Sequence, residues 1–250
     1  MTVFVTLVRR ELGGYLSSLS GYVVIATVLL LIGFGFYDLL DYLNTDAADR
    51  PLSELFFSTL YFWLVLLLAT PVITMRTYAL ERSSGTYETL MTTQVSDLQV
   101  VLAKFTGSLI FYLVMWLPLL GCLVLVRYYT QDPSVLDPGI TASTYLGILL
   151  LGGLYVALGC FASSLTRNQI IAAMISFAFG VGLFMLSFFT DDITLSDPWL
   201  SRTFTHISIR EHMEDFARGV IDSRYVIFYL SLTAFFLFLN YRVVESRRWK

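Results

Sequence analysis

Residues 138–166 read PGITASTYLGILLLGGLYVALGCFASSLT, a run of 29 positions that contains no Asp, Glu, Lys or Arg. About 20 apolar residues in an α-helix are enough to cross the roughly 30 Å hydrocarbon core of a bilayer. A charged side chain in the middle of such a helix costs about 2.5–3.5 kcal/mol, which cancels the contribution of several leucines. The run therefore predicts a transmembrane helix.

Five further windows lack those four residue types, namely 12–37, 55–75, 105–126, 168–190 and 225–241. The chain has 250 residues, of which 56% are hydrophobic and 14% are charged. Soluble domains have about one quarter charged residues, so a soluble class is excluded. We predict an all-α integral membrane protein whose six transmembrane helices form one domain over residues 1–250.

The distribution of positive charge predicts the orientation of these spans. Six spans place both termini on one side, together with residues 76–104 and the connection at Arg167. Ten of the 16 Lys and Arg residues fall on that side, and basic residues near the ends of spans favour the cytoplasm. We therefore expect cytoplasmic termini. The acidic residues then lie mostly outside, and the pI of about 5.3 gives no indication of nucleic-acid binding.

Two segments outside the windows have helical patterns. Residues 2–12, TVFVTLVRREL, are amphipathic, so we predict an interfacial helix over 1–14 that ends at Gly13-Gly14. The alternative is that these residues simply begin the first span. On the other side, residues 191–224 form the largest outer segment, with a helix predicted over 207–220 that lies on the surface or caps the spans.

The polar stretch between spans two and three, residues 80–105, reads LERSSGTYETLMTTQVSDLQVVLAKF. Tyr87, Leu90 and Met91 recur at i, i+3 and i+4, which predicts a short amphipathic helix. A capping box formed by Ser96 and Gln99 predicts that the third span begins at Asp97. An amphipathic helix between two spans, on the cytoplasmic face, can transmit force from a soluble partner to both spans.

This stretch, read as E-R-x-x-G-T-x-E-x-L…V-S with a lysine further on, resembles the cytoplasmic signature of the type-two ABC export permeases. The matching positions are Glu81, Gly85, Thr86, Glu88, Leu90, Val95, Ser96 and Lys104. The family usually has proline before the Val-Ser pair, where this chain has Gln94. Residues 211–239 and the ending VESRRWK are similar to the gliding-motility (GldF-like) branch of that family.

The resemblance implies a permease subunit of an ATP-driven ABC exporter in the bacterial cytoplasmic (inner) membrane. It implies pairing with a second permease subunit, as a homodimer or heterodimer, and docking of a separate ATPase subunit through a coupling segment over 76–104. The candidate ATPase-docking residues are Glu81, Arg82, Gly85, Thr86, Tyr87, Glu88, Leu90 and Met91.

The positions of the lysines agree with an ATPase on a separate subunit. A P-loop needs glycines followed by Lys-Ser or Lys-Thr, whereas Lys104 precedes Phe105 and the other lysine is Lys250. The resemblance therefore places ATP and magnesium on the partner ATPase. We expect no enzyme activity and no cofactor in this chain.

The sequence also suggests three other functions. His206 and His212, with Glu211 and Asp215 nearby, suggest a metal site. The histidines are six positions apart and do not share a helix face, so a solvated outer helix is favoured. A membrane scaffold of a cell-envelope or gliding machine, without transport, remains open. A secondary transporter is disfavoured, because the six windows carry no charge for a proton relay or an ion site.

Overall fold

The computed structural model of the protein describes residues 2–45, 52–86, 95–130, 137–187 and 207–248. Helices and short turns account for these ranges, and no β-strand occurs within them. The helices are α1 (Thr2–Leu16), α2 (Leu19–Thr45), α3 (Leu52–Ser58), α4 (Leu60–Thr74), α5 (Arg76–Ser83), α6 (Asp97–Thr130), α7 (Pro138–Leu165), α8 (Gln169–Leu186), α9 (Ile209–Ala217) and α10 (Ser223–Arg248).

Six helical stretches of the described residues are long and apolar enough to cross a membrane. They are Leu19–Tyr42, Leu60–Ser83, Asp97–Tyr129, Pro138–Leu165, Gln169–Leu186 and Ser223–Ser246. Each overlaps one of the charge-free windows. The prediction of an all-α integral membrane protein with six spans is therefore confirmed.

Helix α7, the stretch quoted at the outset, is the central helix of the bundle. Its most apolar stretch is 83% buried, and it contacts α4, α6, α8, α9 and α10. A Cβ added at Gly152 would lie 2.1 Å from the Tyr112 ring, and one at Gly159 would lie 2.1 Å from Thr74 Oγ1. Small residues allow such approaches between helices in lipid, where the hydrophobic effect does not drive helices together.

The first span begins later than the sequence pattern suggested. Helix α1 continues through Gly13 and Gly14, and the break comes at Ser17 and Ser18. The Ser18 hydroxyl accepts from the Gly21 N–H at 3.1 Å, which satisfies one of the free donors at the start of α2. A serine cap, rather than the glycine pair, therefore separates α1 from the first span.

The second span is interrupted near its outer end and extended at its inner end. The chain is extended at Thr59 (φ −73°, ψ 150°), so α3 is separate from α4. At the other end Met75 keeps helical angles and its N–H donates to Pro71 O at 2.9 Å. Helix α5 thus continues α4 despite Pro71. Residues 76–83 were predicted as part of a cytoplasmic segment. They form the end of a continuous helical stretch, α4 and α5, which we call the α4–α5 rod and which is long enough to cross a membrane.

The predicted start of the third span is confirmed. The Ser96 N–H donates to Gln99 Oε1 at 3.4 Å and the Gln99 N–H donates to Ser96 Oγ at 3.3 Å. This reciprocal pair is the expected capping box, and α6 begins at Asp97.

The predicted outer helix forms over Ile209–Ala217 and ends where Gly219 adopts φ +88°. Its apolar face is fully buried against α7: a Cβ added at Gly147 would lie 3.0 Å from atoms of Met213 and Phe216. Ser53 donates to Ala217 O at 2.8 Å, and Arg218 pairs with Glu54 at 2.7 Å. The helix therefore caps the bundle and is tied to α3.

The expectation that His212 lies on a solvated helix is wrong. The side chain of His212 is buried, its ring stacks on Tyr225 with centroids 3.9 Å apart, and Nδ1 lies 3.3 Å from Tyr229 Oη. The sequence pattern placed His212 beside acidic neighbours, but the packing of α9 on α10 surrounds it with aromatic rings. His206 lies outside the described residues.

Substitution of alanine at two adjacent glycines of α7 should separate close packing from helix propensity. Gly152→Ala forces a methyl group into the Tyr112 ring, whereas the nearest atom to a Cβ at Gly153 is Thr233 Oγ1 at 4.0 Å. Overpacking costs about 1–3 kcal/mol, which corresponds to a Tm lowered by about 2–12 °C for a chain of this size. Thermal unfolding in detergent should show this loss for Gly152→Ala and none for Gly153→Ala. Equal Tm values for the two variants would contradict the packing described for α7.

Candidate functional site

Three helices meet at what we call the N-terminal side of the bundle, the side that holds α1, α5 and the connection 166–168. Helix α1 packs along α6, where Gly107 permits close approach: a Cβ there would lie 2.8 Å from Glu11 Cβ. Helix α5 brings Glu81 to the same place as the rigid continuation of α4. Side chains from α1, α5 and α6 can therefore touch, although they are far apart in sequence.

Lys104 lies at the centre of this junction. Its side chain is 2% exposed, and Nζ lies 3.0 Å from Glu11 Oε1 and 2.9 Å from Glu81 Oε2. It also donates to Thr77 O at 2.6 Å. A buried ammonium is costly unless it is paired and its three N–H groups have acceptors. Glu11 and the Thr77 carbonyl accept hydrogen bonds from Lys104, and Glu81 adds an ion pair, so Lys104 fastens α1 and α5 to α6.

Arg10 completes the cluster from the solvent side. Its Nη2 lies 2.7 Å from Glu81 Oε1 and 3.2 Å from Glu11 Oε1, and its side chain is 48% exposed. Arg10 and Lys104 balance the charges of Glu11 and Glu81. We call these four residues the charge cluster.

Helix α5 is also fixed to the central and last spans. The Ser163 hydroxyl donates to Met75 O at 3.1 Å, Arg82 donates to Ser164 O, and Asn240 Nδ2 donates to Tyr78 Oη at 3.1 Å. Contacts to α7 and α10 therefore hold the helix on the faces that the charge cluster leaves free.

Tyr15 provides a neutral contact beside the cluster. Its hydroxyl donates to Ile73 O at 3.1 Å and lies 2.9 Å from Ser108 Oγ, and its ring stacks on Phe111 with centroids 4.8 Å apart. Burial raises the pKa of the Tyr15 hydroxyl well above its usual value, so it remains a protonated donor. This contact joins α1 to α4 and α6 independently of charge.

The predicted ATPase-docking residues divide into three groups. Glu81 and Arg82 are engaged within the chain, and Glu81 is only 17% exposed. Gly85 and Thr86 are exposed just beyond the end of α5, where Gly85 adopts φ +75°. Four candidates lie outside the described residues: Tyr87, Glu88, Leu90 and Met91.

Sequence reasoning did not assign a role in this site to Arg10, Glu11 or Lys104. A signal was present, since Lys104 is a lone lysine at the start of an apolar run and needs an acidic partner. Several carboxylates on the same side of the membrane could have served, and the sequence offered no means of choosing among them. Within the described ranges, no three His, Cys, Asp or Glu side chains come close enough together to hold a metal ion.

A family model described as "ABC-2 family transporter protein" matches residues 44–241, well over half of the chain. The chain belongs to the ABC-2 transporter family. No curated protein matches it. This ABC-2 chain is a multi-pass permease subunit, and the family setting implies an ATPase partner. The matched region includes Glu81 and Lys104 and begins after α1. The charge cluster therefore joins the matched region to a helix that lies outside the match.

Removal of the lysine should destabilise this ABC-2 chain more than removal of an exposed cation. Lys104→Met leaves two carboxylates facing one arginine, and loss of one partner from a buried ion pair costs about 3–5 kcal/mol. Arg242→Met is the matched control, because Arg242 is 61% exposed and its carboxylate partner among the described residues is Glu245, three residues away. Such surface pairs contribute about 0–1 kcal/mol. Thermal unfolding in detergent should show a large loss of Tm for the first variant alone.

The double variant Lys104→Met/Glu81→Gln tests the electrostatic cause. It leaves Arg10 and Glu11 as a balanced pair, so it should recover at least about half of the lost stability. A double variant no more stable than Lys104→Met would show that the loss arises from packing rather than from uncompensated charge.

Proposed function

We propose that the chain is the permease subunit of an ATP-driven exporter in a bacterial inner membrane, with both termini in the cytoplasm. Two such subunits pair, and each binds an ATPase subunit through the segment that follows α5. The observation that carries this proposal is the charge cluster, because it makes α5 a rigid lever: Glu81 is held to Lys104 on α6, and Arg82 to Ser164 on α7.

The segment at 86–94 is attached to two spans. On one side it continues from α5, which extends α4, and on the other side it leads into the capping box at Ser96 that begins α6. A displacement imposed on the segment would act on both spans. Since Lys104 also binds Glu11, α1 would move with them.

This arrangement assigns different tasks to the predicted docking residues. Glu81 and Arg82 position α5, because their charged groups bond within the chain. Gly85 and Thr86 stand exposed at the start of the segment, and Tyr87, Glu88, Leu90 and Met91 continue it. In our proposal the residues from Gly85 onward contact the ATPase.

Two further expectations belong to the proposal. The surplus of Lys and Arg on the N-terminal side supports its placement in the cytoplasm. The similarity of residues 211–239 to gliding-motility permeases suggests that branch of the family. A non-transporting scaffold differs in one measurable respect: it would bind an ATPase without changing the rate of ATP hydrolysis.

Charge reversal at Glu88 should weaken the ATPase contact without unfolding the permease. We expect Glu88→Arg to reduce the ATPase that co-purifies with the tagged chain, and the ATP hydrolysis of that complex, by about tenfold, the effect of 1.4 kcal/mol. Glu245→Arg is the control, because Glu245 lies on the same side of the bundle and its partners among the described residues, Tyr241 and Arg242, belong to its own helix. Equal ATPase recovery and hydrolysis for both variants would refute docking at this segment. If the unsubstituted chain recovers the ATPase without stimulating ATP hydrolysis, the scaffold function would be favoured.

Cysteine labelling should show which side faces the cytoplasm. Ser84 and Val220 are exposed on opposite sides of the bundle, whereas the native Cys160 is buried and Cys122 is half-buried. In intact cells a membrane-impermeant maleimide should label Val220→Cys and spare Ser84→Cys until the membrane is permeabilised. Labelling of Ser84→Cys in intact cells would overturn the orientation, and with it ATPase docking.

A further inference from the structure

A cavity of about 230 Å³ opens beside the charge cluster, between α1 and α5. Its charged walls are Arg10, Glu11, Arg76 and Glu81. Both carboxylates already face Lys104 and Arg10. With Lys104 behind it, the cavity has three cations and two carboxylates, and so an excess of one positive charge.

Arg76 accounts for this excess. Its Nη1 donates to Ser18 Oγ at 2.9 Å and to Ser20 Oγ, both neutral hydroxyls at the start of α2. Among the described residues, no carboxylate pairs with it. A guanidinium presents five N–H donors in a planar fork that matches phosphate oxygens. Arg76 can therefore accept an anion in the cavity without giving up an ion pair.

An apolar groove of about 150 Å³ lies between α2 and α4. On α4 it is lined by Val65, Leu68, Ala69 and Val72, which recur at helical spacing on one face. The next positions on that stripe are Arg76 and Leu80, and both line the charged cavity. The face of this rod is thus apolar in the span and cationic at its end.

Helix α2 provides the other wall in the same order. Its groove residues are Val23, Val24, Thr27, Val28 and Leu31. Ser20, three residues before Val23, is the hydroxyl that binds Arg76. The Arg76–Ser20 contact therefore lies between the cavity, which Arg76 lines, and the groove, which begins at Val23 and Val72. From Val23 to Leu31 the groove follows α2 for about 12 Å.

A cationic cavity between α1 and the end of the α4–α5 rod, with an apolar groove further along the same rod, matches an amphiphile with a phosphate head and an acyl chain. The groove lies inside the stretches Leu19–Tyr42 and Leu60–Ser83, which are long and apolar enough to cross a membrane. Leu19 and Tyr22, close to Ser20, are 81% and 60% exposed. The region between the cavity and the groove is therefore open to the bilayer.

We infer that α1, α2 and the α4–α5 rod bind one membrane phospholipid, with its phosphate on Arg76 and one acyl chain in the groove between α2 and α4. A free phosphate would explain the cavity but not the groove. A lipid without phosphate would explain the groove but not a guanidinium that has no carboxylate partner among the described residues. The bound lipid would complete the contact between the first span and the rod that leads to the charge cluster. The site does not depend on ATPase docking or on the orientation of the chain.

Native mass spectrometry of the full chain, purified in detergent, can test the site with defined lipids. The probes are phosphatidylglycerol, phosphatidylethanolamine and a diacylglycerol with the same acyl chains, and inorganic phosphate serves as a competitor. We expect one tightly retained phospholipid per chain, bound about tenfold more strongly than diacylglycerol, as a charge-assisted hydrogen bond predicts. Inorganic phosphate should not displace it.

Two pairs of variants probe the two halves of the site. Arg76→Gln should lower phospholipid retention about tenfold, to the level of diacylglycerol, with Arg242→Gln as the control for loss of a guanidinium on the same side. Thr27→Phe should fill the groove and reduce retention of all three lipids, whereas Ala26→Phe places the same ring on an exposed neighbour that does not line the groove.

Thermal unfolding of each variant checks that the chain remains folded. Thr27→Phe alters an exposed position, so it tests the site even if Arg76→Gln is unstable. Retention of phospholipid and diacylglycerol to the same extent would overturn the inference. So would phospholipid retention unchanged in Thr27→Phe, or displacement of the lipid by inorganic phosphate, which would indicate a free-anion site.

Discussion

A lysine ammonium buried to 2% exposure is the constraint on which the N-terminal side of this permease depends. Removal of a charge from water costs several kcal/mol, and that cost is offset only by well-placed opposite charges and hydrogen-bond acceptors. Lys104 donates to Glu11 and to the carbonyl of Thr77, and it forms an ion pair with Glu81. The first helix and the end of the second span must therefore converge on the third. Mutual attraction of apolar surfaces could not specify this convergence, since lipid satisfies such surfaces equally well.

The rest of the bundle depends on shape rather than charge. Helix α7 offers Gly147, Gly152 and Gly159 where the outer helix, Tyr112 and Thr74 come within contact distance. These contacts set the depth at which neighbouring helices cross it. Ion pairs at the N-terminal side and contacts to α7 together hold α5 against three neighbouring helices. In the function that we propose, α5 is the lever that transmits displacement from the ATPase to the spans.

Much of the fold could be predicted from the sequence, because the bilayer imposes a simple rule on composition. The six charge-free windows correspond to the six spans, and Ser96 with Gln99 marked the start of α6. Local signals were less reliable where tertiary contacts competed with them. Two glycines suggested the end of α1, but packing on α6 carries the helix through them to a serine cap. His212 has acidic neighbours in the sequence, yet its ring is stacked on Tyr225.

The sequence by itself determined that the chain is helical, crosses the membrane six times and carries a polar segment between spans two and three. These properties follow from residue hydrophobicity and spacing, which act locally. Only the tertiary structure decided that Glu81 and Arg82 face inward, that Lys104 joins three helices, and that Arg76 stands between a charged cavity and an apolar groove. Each of these depends on which helices lie side by side, and many pairings of apolar helices satisfy the same hydrophobic pattern. The choice among them rests on close contacts at single glycines and on the pairing of buried charges separated by as many as 93 residues.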